Sequence, residues 1–123
     1  MPTAAAVQAT GIDFVGYLTK DPKRATEFYK SMLGLTPTWE VEQGAEFELP
    51  DGSTFGLWHM SDGEWHPSAG VFFAVPDLKA AVEELKRRGV QMLGEGFETE
   101  NCHMIGALDS EGNTFMLHQR KQR

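Results

Sequence analysis

Hydrophobic and polar positions along the chain trace one pattern twice. Ile12–Thr19 is an apolar, β-compatible run and predicts a strand. Beyond it, Ala25, Phe28, Tyr29 and Met32 recur at i, i+3, i+4 and i+7, one face of a helix. Asp21 supplies an N-cap, Pro22 suits the first helical position, and Gly34 suits the end. Leu35–Glu42 and Ala45–Leu49 predict two short strands joined near Gln43-Gly44. The Asp51-Gly52 turn then leads into a strand over Thr54–His59. The plan restarts at the strand Val71–Val75. Leu78, Ala81, Val82 and Leu85 form a second helical stripe behind the cap Asp77, with Lys86-Arg87-Arg88 in the last turn and Gly89 as the stop. Val90–Leu93 predicts a strand, Gly94–Asn101 a loop rich in Gly and Glu, and Cys102–Leu108 with Thr114–Gln119 a pair of strands around Asp109–Asn113.

Equivalent marks keep a near-constant offset. Asp21 and Asp77 stand 56 residues apart, Gly34 and Gly89 55, and Gly52 and Gly112 60. Two copies of one β-α-β-β-β unit follow, and such a duplication tends to build its site between the copies. The fold class is α+β, in a single domain over 1–123, with modules at 11–60 and 70–119. The polar segment Ser61–Ala69, holding Gly63 and Pro67, is the hinge. Each helix has one apolar stripe, so it covers one face of its sheet and leaves the other open. Two such sheets set edge to edge, helices outside, form a curled mixed sheet around a cleft, where a site is expected.

Bulk composition narrows the partners. With 18 acidic and 11 basic residues the net charge is −7, which argues against nucleic acid and anionic membranes. The one basic cluster, Arg120-Lys121-Arg123, reads as a solvated terminus. Hydrophobic content of 41% suffices for a core. Met1–Thr10 is expected to fray, and it lacks the charged start and apolar stretch of a signal peptide. No apolar run approaches a membrane span, so a soluble, cytoplasmic protein is expected. Cys102 is the single cysteine, which rules out an internal disulfide and reads as a small buried hydrophobe.

Phe14–Gly34 (FVGYLTKDPKRATEFYKSMLG), Val71–Gly89 (VFFAVPDLKAAVEELKRRG) and Asp109–His118 (DSEGNTFMLH) resemble the vicinal oxygen chelate superfamily. That superfamily includes glyoxalase I, bleomycin-resistance proteins, methylmalonyl-CoA epimerase and extradiol dioxygenases. The resemblance covers about Ile12 to Gln119. It implies one divalent metal in the cleft, held by His or Gln near each first strand and Glu in each fourth strand. Carried over by spacing, those positions are Phe14, Gly70, Gly56 and Met116. None is a usable ligand for a transition metal ion. Among their immediate neighbours only Asp13 could coordinate one. The resemblance therefore points to relatives of the bleomycin-resistance type, which bind a drug in an aromatic-lined cleft, with no metal and no cofactor.

Strand alternation from those four positions gathers the cleft lining. Gly16, Leu18, Thr54, Trp58, Phe72, Ala74, Thr114 and His118 share their side. Phe14, Trp58, Phe72 and Met116 would make an apolar pocket with His118 as its titratable group, and the glycines leave room. Such a pocket suits a flat aromatic ligand; equally, the same side chains could only fill a core. His118 is a candidate acid/base, or a satisfied structural histidine. Glu46 and Glu48 enter the cleft if Phe47 and Leu49 pack under the helix, and they would then attract a cation. Trp65 either covers the cleft mouth or sits in a subunit interface. His59 and His66 have no known ligand spacing, and with His103 they outline no conventional metal site. The glycines at Gly94-Glu95-Gly96 do not continue into a phosphate-binding loop. The expected protein is a homodimer that binds a small organic molecule without a metal. Its rivals are a glyoxalase-type lyase, isomerase or dioxygenase with displaced ligands or His118 as acid/base, and a ligand sensor or interaction module.

Overall fold

The computed structural model describes residues 12–60 and 65–121. The expected frayed start over Met1–Thr10, the first part of the hinge, 61–64, and Arg123 lie outside these residues. Each module has the anticipated order. The first runs β1 (Phe14–Leu18), α1 (Pro22–Leu33), β2 (Pro37–Val41), β3 (Gly44–Glu48) and β4 (Thr54–Trp58). The second runs β5 (Val71–Ala74), α2 (Leu78–Arg87), β6 (Met92–Glu98), β7 (Cys102–Leu108) and β8 (Thr114–Arg120). Each builds its own four-stranded mixed sheet, in the orders β1-β4-β3-β2 and β5-β8-β7-β6. The α+β expectation is met.

The local signals act as their chemistry requires. The Asp21 carboxylate accepts from Arg24 N at 3.1 Å and Asp77 from Ala80 N at 3.1 Å, each satisfying an orphan donor of its helix. Gly34 adopts φ 67°, a left-handed end that glycine reaches without strain. One expectation fails. Gly94–Asn101 is not all loop, because β6 continues through it to Glu98. Gly94 and Gly96 both take φ 75°, and the β6–β7 register shifts between Leu93 and Phe97. The glycines thus make a bulge inside a strand rather than end it.

The two modules meet through their helix-bearing faces. Tyr29 of α1 packs its ring against Phe47 and Phe55 of the first sheet and against Phe73 and Phe115 of the second. Phe55 also meets Phe73 directly, with ring centroids 5.2 Å apart. One buried cluster therefore spans both modules. Polar groups lock it. The Tyr29 hydroxyl donates to Asp109 at 2.7 Å, and Asn113 donates its backbone and side-chain N–H to the same carboxylate. The Tyr17 hydroxyl accepts from Val71 N at 3.0 Å and donates to Thr114 O at 2.7 Å. Burial pushes both tyrosines above their ordinary range, and the charge of Asp109 adds to the effect. Both stay neutral donors in that core. Among the described residues no helix is long and apolar enough to cross a membrane.

Candidate functional site

Each sheet keeps one face clear of its helix. On the first, Phe14, Gly16 and Leu18 of β1 pair with Thr54, Gly56 and Trp58 of β4. Glu48, Glu46 and Gly44 lie opposite those β4 residues, and Trp39 and Val41 of β2 extend the row. Phe47 is fully buried beneath Tyr29, so alternation does bring Glu46 and Glu48 to the open face. The Phe14 ring lies across the two glycines: a Cβ at Gly16 or Gly56 would stand 2.8 or 2.2 Å from its atoms. Trp58 meets Trp39 edge to face at 5.7 Å.

On the second sheet, Phe72 and Ala74 of β5 pair with Met116 and His118 of β8. Gly106 and Met104 of β7 continue across, followed by Leu93 and Phe97 of β6. The Phe72 and His118 rings are 6.0 Å apart, edge to face. A cavity of about 740 Å³ runs beside Phe72, Ala74, His118 and Arg120 and reaches Thr54 of the first sheet. Among the described residues, neither ring nitrogen of His118 has a hydrogen-bond partner.

The residues expected to share a pocket thus fall into two groups within one chain. Phe14, Gly16, Trp58 and Glu48 occupy the first open face; Phe72, Met116 and His118 occupy the second. Sequence reasoning missed Trp39, Leu93, Phe97 and Met104. A register shift between Pro37 and Trp39, and one between Leu93 and Phe97, hide the parity of Trp39 and Phe97 from simple alternation. Met104 faces His118 in register, a pairing visible only once β7 and β8 are aligned.

The superfamily's metal does not fit these residues. At two of its four positions stand Phe14 and the glycine its ring covers, Gly56. Gly70 offers no side chain, and Met116 only a soft thioether. Among the described residues no three His, Cys, Asp or Glu side chains are grouped to hold a metal ion. His59 Nδ1 lies 3.1 Å from Thr19 O, and His103 Nε2 sits 3.6 Å from Glu98. Lys20 stands 4.0 Å over the Trp65 ring. Cys102 is buried, with Thr99 Oγ1 3.3 Å from its sulfur.

The family's sequence profile matches residues 11–117, nearly the whole double module. The chain belongs to the glyoxalase/bleomycin resistance protein/dioxygenase superfamily. A relative, the uncharacterized protein YetH of Bacillus subtilis strain 168, is 25% identical over 116 residues, spanning 88% of this chain and 97% of that protein. Solved structures of this superfamily's fold superpose on both modules. TnmS3, an antibiotic binding protein from Streptomyces sp. CB03234, aligns with TM-score 0.71 at 19% identity, over 96% of this chain and all of that one. Lactoylglutathione lyase from Agrobacterium tumefaciens aligns with TM-score 0.76 at 13% identity, over 90% and 94%. The superfamily scaffold therefore carries a binder and an enzyme alike, and only the site separates them.

Proposed function

We propose that the protein binds a small, flat aromatic molecule on its open apolar faces, without a metal ion, and holds it rather than transforms it. The observation that carries this reading is the Phe14 ring lying over Gly16 and Gly56, hydrocarbon where the superfamily's enzymes would need donors. Around it, Trp39, Trp58, Phe72 and Phe97 offer ring faces and edges, each worth about 0.5–1.5 kcal/mol in an aromatic pair beyond burial. TnmS3, a binder on the same fold, is compatible with that use. A glyoxalase-type lyase, isomerase or dioxygenase remains the second reading, favoured only by His118 lining the 740 Å³ cavity. An acid/base histidine is ordinarily oriented by a partner on its other nitrogen, and among the described residues this one has no such partner.

Tryptophan emission during titration with a panel of planar aromatic compounds tests the reading. Quenching is expected, much reduced in Trp58→Phe. Elemental analysis of the purified protein runs beside it. One equivalent of transition metal, lost on replacing His118 or Glu48, would overturn the metal-free reading. Emission unchanged across the whole panel would overturn the aromatic ligand.

A further inference from the structure

We propose that the molecule held is a singly charged aromatic carboxylate, bound in the cavity beside the second sheet with its carboxylate on Arg120 and His118. The proposal rests on the aromatic reading above and adds to it the charge of the ligand and its direction in the site. The cavity, about 740 Å³, has the size of a small-molecule site. Phe72 forms one wall and is 53% exposed, with its ring 6.0 Å from that of His118. Ile12 and Leu49 add hydrocarbon. An aromatic body laid against Phe72 therefore brings any group it carries to β8.

Charge is divided along this cavity. At one end β8 presents His118 and Arg120, two residues apart and so on one face of the strand. Among the described residues the Arg120 guanidinium forms no ion pair, and Glu98 of β6 is held by Lys121 instead. A guanidinium meets a carboxylate through two parallel N–H donors, and an N–H of the unpartnered His118 ring can add a third. At the other end stands Asp51, in the turn before β4. Its carboxylate accepts from Ser53 Oγ at 2.6 Å and from Ser53 N at 3.0 Å, bonds that hold it below the ordinary carboxylate range. Glu48 lies opposite Thr54 on the same side of the molecule. Acids at the first-sheet end and donors at the second-sheet end turn an anionic ligand towards β8. Arg120 supplies one permanent positive charge against the fixed negative charge of Asp51, which suits a monoanion and opposes a dianion.

Titration calorimetry of the full chain with 2-naphthoate, 2-naphthamide and 2-naphthylmethylammonium tests the charge while the ring is kept constant. 2-Naphthoate is expected to bind about tenfold more tightly than the amide, the worth of one charge-assisted pair. The ammonium should bind most weakly. Arg120→Gln should remove the advantage of the carboxylate and leave the amide unchanged, which also shows that the variant is folded. Phe72→Ala should weaken carboxylate and amide alike. Backbone amide shifts on adding 2-naphthoate should cluster at Phe72, Ala74 and Thr54. Equal affinity for carboxylate and amide, tighter binding of the ammonium, or an advantage that survives Arg120→Gln overturns the proposal and leaves the aromatic reading standing. Binding of none of these probes overturns both.

Discussion

Gly44 and Gly56 face the same open side of the first sheet, yet their neighbours make them unequal. A Cβ at Gly44 would stand 1.8 Å from the Leu57 carbonyl oxygen, a backbone atom that cannot yield without breaking the β3–β4 ladder. At Gly56 the obstacle is the Phe14 ring, the far end of a partly exposed side chain that can swing away. Gly44→Ala is therefore expected to cost about 1–3 kcal/mol in urea unfolding, the usual range for overpacking. Gly56→Ala should cost about 1 kcal/mol or less, an off-rotamer penalty, while displacing the ring that floors the first face. Equal losses for the two variants would show that the Phe14 ring is as fixed as the backbone. The chain itself makes both residues visible as glycines in strands. It does not reveal which one is pinned by main chain, because that depends on how β3 lies across β4.

At the scale of elements, α2 is tied at its C-terminal end by charge. The Arg87 and Arg88 guanidiniums beside Glu84 hold its carboxyl down at about 2, and Arg88 also donates to Ser31 O of α1 at 2.8 Å. A folded-state pKa below the ordinary 4.5 means that this contribution is present above pH 4.5 and is lost as pH falls towards 2. Amide shifts of Arg88 and Gly89 should move in that window in the wild type. In Glu84→Gln they should already sit at the acid position and show no step. Because these side chains are exposed, the effect should shrink in high salt. Elements such as α2 were legible in sequence because cap, stripe and stop agree on one answer: Asp77, then Leu78, Ala81, Val82 and Leu85, then Gly89. The later half of β6 was not. Gly94 and Gly96 signal a break in any window of residues, and only pairing with β7 turns that break into a bulge. Phe97 was lost to the site for the same reason, and Trp39 through the shift in β2.

Over the whole molecule, the duplication announces two modules but not the faces through which they meet. Alternation separates inner from outer residues within each sheet, so Trp58 and His118 could be placed from sequence. The partner of each inner face is set by contacts between the modules, among them those of Tyr29, whose ring touches both sheets and whose hydroxyl reaches Asp109 in the far module. Nothing in the periodicity of α1 distinguishes Tyr29 from Phe28 or Met32 on the same stripe. That shared core has an energetic consequence. If the modules were stable units in contact, damage to the first would leave the second unchanged. Since Tyr29, Phe55, Phe73 and Phe115 form one cluster, they should open together. Native-state hydrogen exchange should then give the most protected amides of β4 and β8 the same opening free energy. Tyr29→Phe removes the hydroxyl that Asp109 accepts from inside the core, where the lost bond is worth about 1–3 kcal/mol. Both strands should fall by that amount together. A loss confined to β4, with β8 unmoved, would mean that the two copies still fold as separate units and that the polar lock between them is incidental to stability.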